Sequence, residues 1–454
     1  MRPPPAATRR PRQHLWWRWR LPMMAGGSGS KKRARRTRKP DPTALLTDDL
    51  LVEILARVPY RSLCRCRCVS KRWRALISHP DHRARLPQTL AGIFYHGPVA
   101  VGGGGSPEST STSNCFASVP GTAPPLIHTS FSFLPDRERE ELVLVDSCNG
   151  LILCRCYRFP DEGEFDYLVL NPATEKWVAV PITRRWSSKV QTVHLGFDPA
   201  VSSHFHVFEF QVDIDDDDYD AGDGHVLGVK IYLSATGVWS HRQSGWSMEI
   251  SFELDLKSVF LDGMLYVIAR ESVVGSVDVE GKTWRIINFP RSKDSRFYDT
   301  GGGFIDLSQG RLHLANDDDM VGDKLAIWVL EDKDNEQWTL KHTVRNKHLV
   351  RRKHVHFGFH EFIVVAIHPD RNMVFFVFGL EKTLISYDMD SGKVSIIRNL
   401  GRTCNEHFLP YVPCFQTHYQ MVGTGNQQSD FLSMAQLLPM VLIISTSGFQ
   451  LQLQ

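Results

Sequence analysis

"YLVLNPATEKWVAVP", residues Tyr167 to Pro181, sets an apolar run, a turn rich in Asn, Pro and Thr, and a return run carrying Trp177. Short β-rich runs bounded by turn residues read as an antiparallel strand pair. A lone pair is marginal in water, so its apolar face needs neighbours. The same unit returns four times, in "KIYLSATGVWSHR" from Lys230, "GSVDVEGKTWRIINFP" from Gly275, "LAIWVLEDKDNEQWTLKHTV" from Leu325 and "LISYDMDSGKVSIIRN" from Leu384. The return runs carry Trp177, Trp239, Trp284 and Trp338, with Val394 in the fifth.

Each unit follows another apolar pair, and the turns of those pairs are Asn149-Gly150, Asp198-Pro199, Asp262-Gly263, Gln309-Gly310 and Pro369-Asp370. These are hairpin turn chemistries. Four strands per repeat, with the tryptophans 62, 45 and 54 residues apart, predict propeller blades, whose period is roughly 40 to 50 residues. Radial repetition also protects the edges of so many apolar strands. "LAGIFYHG" and "HTSFSFLP" ahead of the array and "HFLPYVPCF" behind it are expected to complete a sixth blade jointly.

Upstream the texture is helical. Thr47 is placed to cap a first helix whose opening turn holds Asp48 and Asp49, a favourable pairing of acids with the positive helix end. Leu50, Leu51, Ile54, Leu55 and Val58 recur at the spacing of one helical face, and Pro59 ends it. Leu63, Val69, Trp73, Leu76 and Ile77 form a second apolar set, which predicts two more short helices. Three helices in about 40 residues make a core too small to be comfortable alone, so part of this surface is expected to meet a partner.

Charge separates the chain further. Residues 1–40 hold 13 Lys and Arg and no Asp or Glu, so taking those 13 from the formal +3 leaves −10 on the rest. The arm 1–42 is read as disordered, and Lys31, Lys32, Arg33, Arg35, Arg36, Arg38 and Lys39 form a cationic run suited to a nuclear import receptor. The nine cysteines lack the spacing of a disulfide framework or a zinc pair, and alternate cysteines in strands share one side. A reducing nucleus and/or cytoplasm fits that usage. The apolar tail Phe431 to Gln450 has a central Pro and several Gln and Ser, and it reads as a C-terminal extension, so membrane association is not expected.

Four further segments are distinctive. His354, His356 and His360 lack a fourth ligand at a plausible spacing, and the acidic loop Asp213 to Gly224 lacks the glycine and closing glutamate of a calcium loop. Residues 97–125 read as a low-complexity linker. Arg184, Arg185 and Trp186 form a basic aromatic loop that is the one candidate for target contact. Nothing has the pattern of a nucleophile, metal or cofactor site, so the expectation is a non-enzyme with no cofactor and no specific nucleic acid.

The segment "LTDDLLVEILARVPYRSLCRCRCVSKRWRALISHP", Leu46 to Pro80, resembles an F-box. It differs from the usual pattern at Leu46-Thr47, where Leu-Pro is customary, and at Ser70-Lys71, where Cys-Lys is. The body resembles the F-box-associated interaction domain of plant F-box proteins through "SCNGLILC", "LVLNPATEKWVAVP" and "FLPYVP". The resemblance implies a substrate receptor of a Skp/cullin-type ubiquitin ligase, in which Leu46, Leu50, Leu51, Ile54, Leu55, Pro59, Leu63, Val69 and Trp73 would meet the Skp adaptor. A cullin would join through that adaptor, and the propeller would hold an unidentified protein target. The alternative is a nuclear regulatory protein that uses the same modules without degradation. The expected architecture is therefore α+β and multidomain: arm 1–42, three-helix F-box 43–88, linker with candidate first propeller strands 89–140, a kelch-like propeller of about six blades over 141–418, and an uncharged tail 419–454.

Overall fold

The computed structural model describes residues 46–58, 62, 63, 66, 69–79, 82, 90–98, 112–119, 131–134, 142–157, 165–181, 190–199, 201–212, 225–252, 257–290, 303–317, 324–349, 362–405 and 407–414. The chain falls into two units, Met1–Thr47, of which Leu46 and Thr47 are described, and Asp48–Gln454. Two helices are described ahead of the strands, α1 (Asp48–Ala56) and α2 (Lys71–Ser78), both in the second unit, where three were expected. Between them Ser62, Leu63 and Cys66 have helical backbone.

The strands begin with β1 (Gly92–Pro98) and β2 (Thr112–Ser118). Five consecutive four-stranded antiparallel sheets follow. The first holds β3 (Leu142–Cys148), β4 (Leu151–Tyr157), β5 (Phe165–Asn171) and β6 (Lys176–Val180). The second holds β7 (Val190–Gly196), β8 (His206–Val212), β9 (Val226–Leu233) and β10 (Val238–Gln243). The third holds β11 (Val259–Leu261), β12 (Met264–Ala269), β13 (Val273–Asp278) and β14 (Trp284–Asn288). The fourth holds β15 (Phe304–Ser308), β16 (Arg311–Asp317), β17 (Lys324–Asp332) and β18 (Gln337–Arg345), with a short helix α3 (Asn346–Leu349) behind it. The fifth holds β19 (Phe362–Ile367), β20 (Met373–Phe378), β21 (Thr383–Asp388) and β22 (Val394–Asn399).

The last strand, β23 (Phe408–Tyr411), pairs with β1 in the order β2-β1-β23, so the sixth sheet joins the two ends of the described β chain. Gly92 faces Tyr411 and Tyr95 faces Phe408. The innermost strands pack side by side in the closed cycle β23, β3, β7, β11, β15, β19 and back to β23. This is a six-bladed propeller. Pro410 sits in β23, an edge strand bonded only to β1, where a missing N–H costs no ladder bond.

Two expectations need correction. β2 lies inside residues 97–125, which read as linker, because "TSNCFAS" is too polar to announce a strand. In "HTSFSFLP" none of the described residues 131–134 is in a strand, 132–134 forming a turn and bend, with Phe131 buried against Phe94. These aromatics pack the sixth blade without pairing in it.

Turn chemistry explains the regularity. Asn149-Gly150, Asp262-Gly263 and Gln309-Gly310 are two-residue hairpins with positive φ at both positions, as a type I′ turn requires. At the outer hairpins a polar residue caps its own turn: Asn171 accepts from Ala173 N, Asp332 from Asp334 N and Asn335 N, and Asp388 from Asp390 N and Ser391 N. Asp278 accepts from three such amides, and these bonds hold its carboxyl below the usual range despite partial burial.

Six hydrophobic cores lie between successive blades, one per interface. Leu195, Val207 and Tyr167 fill the first, and Phe375, Leu384 and Ile93 meet across the fifth and sixth blades. Burying each such side chain contributes on the order of 1.5 to 3 kcal/mol. Indole N–H groups lace the rim: Trp239 Nε1 donates to Pro181 O at 2.6 Å and Trp338 Nε1 to Asn288 O at 2.9 Å, each onto the preceding blade. Alternate cysteines share a side as expected, for Cys154 and Cys156 of β4 both enter the core between the sixth and first blades.

Three histidines are held neutral inside this body. Burial pushes His206 and His313 down to about 4 and His368 to about 3. His368 Nδ1 accepts from the backbone N–H of Asp370 and of Arg371, at 3.0 and 3.1 Å, so a proton there would displace two bonds. In the unfolded chain a histidine titrates near 6.5, so the unfolded state takes up protons first as pH falls. Stability is therefore full above about pH 6.5 and declines toward pH 4, by up to about 1.4 kcal/mol per pH unit for each histidine. Denaturant unfolding between pH 7 and 4.5 measures that slope, and His368→Gln shallows it; a flat profile would contradict the assignment.

Candidate functional site

The helical segment is organised by its own polar caps. Ser70 takes extended backbone ahead of α2 and its Oγ accepts from Trp73 N at 3.1 Å, the bond expected of an N-cap serine. Arg72 reaches back to Asp48 in the first turn of α1, with Nε and Nη2 at 2.8 and 2.7 Å from Oδ1. The turn after α1 closes with Arg57 N and Val58 N donating to Ile54 O and Leu55 O.

Burial divides the apolar residues read as one face. Leu51, Leu55, Leu63 and Trp73 are buried, together with Val52, Leu76 and Ile77. Leu50 is 53% exposed and Val69 57%, while Leu46 and Ile54 are half-buried. The first group is fixed inside the protein; the second offers apolar surface outward. Val52 went unremarked in the sequence because it falls between the i, i+3 and i+4 positions, yet it is fully buried. Pro59, the run Lys31 to Lys39, Arg184, Arg185 and Trp186, the three histidines His354, His356 and His360, the acidic loop Asp213 to Gly224 and the C-terminal tail lie outside the described residues.

The centre of the propeller is polar. Asp146 of β3 bonds its own Ser147 N through Oδ1, while Oδ2 accepts from Leu195 N of β7 at 2.8 Å and from Ser258 Oγ at 3.1 Å. Asp306 of β15 repeats the arrangement: Oδ1 takes Leu307 N, Oδ2 takes Ile367 N of β19 at 2.9 Å, and Lys257 Nζ forms an ion pair with it. Lys257 and Ser258 are consecutive, so one segment ahead of β11 ties both carboxylates. Ser147 Oγ donates to Pro410 O and Asn171 Nδ2 to Cys414 O, which lashes the first blade to the closing strand and to the chain just behind it. Buried carboxylates bonded to backbone N–H groups are strongly held, so this centre fixes blade geometry. The nearby Cys148 thiol is pushed up to about 12 by burial, far from the thiolate that reactivity needs.

Comparison with known proteins accounts for both parts. Residues 44–84 match the F-box domain, and residues 125–443, more than half of the chain, match the family described as F-box protein At3g26010-like, beta-propeller. The chain belongs to this F-box β-propeller family. Relatives in Arabidopsis thaliana include F-box protein At5g07610, 25% identical over 74% of this chain and 77% of that one, and putative F-box/kelch-repeat protein At1g15680, 26% identical over 77% and 83%. F-box protein DOR is 22% identical over 74% of this chain and 86% of its own length. The strands β1 and β2 fall between the two family matches, so the fold of this F-box protein uses residues that neither match includes.

The division of the leucine face carries a test. Leu51→Ala removes a side chain that is 1% exposed and is expected to cost the helical segment about 2 to 5 kcal/mol. Leu50→Ala, on the exposed side, changes stability by less than about 0.5 kcal/mol. Hydrogen exchange across Asp48–Ser78 reads both, and equal effects would refute the division.

Proposed function

We propose that the protein is the substrate-recognition subunit of a Skp/cullin/F-box ubiquitin ligase, with the helical segment docking on a Skp-family adaptor and the propeller holding a protein target. The observation that carries this reading is the exposure of Leu50 and Val69, with half-buried Ile54, in a segment that matches the F-box domain. Apolar side chains left outward on so small a helical unit are surface for a partner. Of the nine residues singled out for the adaptor, Leu50, Ile54 and Val69 make the contact, and Leu51, Leu55, Leu63 and Trp73 shape the surface from beneath.

The receptor itself carries out no covalent step. Its part is to hold the target near a cullin-bound transfer machinery, where an effective concentration in the millimolar range replaces diffusion. The basic run Lys31 to Lys39 supports entry into the nucleus, with the cytoplasm as the other compartment.

Co-purification of a Skp-family adaptor with the full chain tests the reading. Leu50→Glu with Val69→Glu places two charges on side chains that the free protein leaves exposed, so the fold is retained while the interface would have to bury unpaired carboxylates, at several kcal/mol. The expected result is adaptor binding by the wild type and a loss of at least about 100-fold in the double variant, which corresponds to about 2.7 kcal/mol. Undiminished binding by the variant, or none by the wild type, would overturn the proposal.

A further inference from the structure

A cleft of about 230 Å³ opens where the sixth, first and second blades meet, near the starts of β23, β3 and β7. Its polar lining is His96, Asn114, Arg155, Thr192, His194 and His407, against apolar walls that include Phe94, Leu144 and Leu409. Val143 and Asn405, both exposed, stand among its lining residues.

Polar groups in this lining lack partners to a degree unusual for the fold. Arg155 Nε, Thr192 Oγ1 and both ring nitrogens of His407 are buried with no hydrogen-bond partner among the described residues, four of the ten such atoms there. Thr192 is 6% exposed and His194 7%. Buried polar atoms are otherwise almost always paired, so four in one cleft mark a place shaped for something else to bond. Asn114 is committed, its Nδ2 donating to Leu142 O at 2.8 Å.

The donor set fixes the chemistry. Arg155 brings a permanent positive charge, its guanidinium lying 5.3 Å from the ring centre of Phe165, and the histidines and threonine add donors. No Asp or Glu is among the described lining residues; Asp146 lies behind His194 at 3.7 Å and is held by Leu195 N and Ser258, and Glu209, whose charge reaches the Tyr167 hydroxyl that Arg155 hydrogen-bonds, is paired with Lys230 at 3.0 Å. Arginine with surrounding donors recognises carboxylate and phosphate oxygens. The volume is below the roughly 300 to 1,000 Å³ of sites for drug-sized ligands, which limits the occupant to about one side chain.

We propose that this cleft is a binding site for an anionic group of side-chain size, a carboxylate or phosphate on a short apolar stem. The inference does not depend on adaptor docking. The group comes either from a free small molecule or from an acidic or phosphorylated residue of a bound protein.

Calorimetric titration of the purified full chain with phenylphosphate, phenylacetate and benzyl alcohol tests it. At least one anion is expected to bind, and benzyl alcohol at least tenfold more weakly. Arg155→Met and His407→Gln are each expected to weaken the anion at least tenfold; should Arg155→Met unfold, as circular dichroism would show, His407→Gln decides. Binding of the alcohol as tight as the anions, no binding of either anion, or unchanged affinity in the folded variants would overturn the proposal. Peptides bearing one glutamate or one phosphoserine assign the source: affinity tenfold above the small anions points to a protein ligand, and equal or weaker affinity to a free one. Loss of the adaptor interaction with anion binding intact would remove the receptor reading alone.

Discussion

The pairing of β1 with β23 is the constraint on which the propeller rests. Five blades are contiguous hairpin pairs that could each form locally, but the sixth exists only when residues 92–98 and 408–411, more than 300 positions apart, lie in one register. Closing so long a loop costs entropy that no local contact offsets. The return is the simultaneous completion of the two cores on either side of the sixth blade, where Phe94, Leu409 and Tyr411 meet Leu168 and Ile152 on one side and Ile93 and Phe408 meet Phe375 on the other. Cooperativity of the body follows from that closure, since opening the seam exposes both cores at once.

Polar bonds near the axis turn a closed ring into a rigid one. The carboxylates of Asp146 and Asp306 each bind one backbone amide of their own strand and one of the next blade's innermost strand. Gly150, with φ of +91°, lets the first hairpin approach Cys414 so closely that a Cβ would meet its backbone nitrogen at 2.5 Å. The cleft lies beside the seam, and a ligand in it would touch the sixth and first blades, which closure joins, together with the second.

Much of this was legible in the sequence because it is written locally. Asn149-Gly150, Asp262-Gly263 and Gln309-Gly310 announce their hairpins, and the recurrent tryptophans mark the outer strands. What escaped was non-local or unpatterned. β2 is an outer edge strand with few apolar residues, so its polar sequence resembles a linker. Helical periodicity grouped Leu50 with Leu51 and Ile54 with Leu55, but it cannot say which side of a wide apolar stripe faces inward; tertiary packing buried one of each pair more deeply. The cleft gave no signal, because His96, Arg155, His194 and His407 come from four strands or strand ends with no shared motif.

The protein joins a small apolar helical surface to a large closed scaffold, and the account stands on the scaffold being one unit from β1 to β23. Amide hydrogen exchange on the full chain measures this directly. The account predicts that the paired amides of β1 and β23 exchange in the same slow class as those of β12, β13, β20 and β21, through opening of the whole propeller. Fast exchange in β1 and β23 while the five contiguous blades stay protected would show that the ring is stable without its seam, and would contradict it.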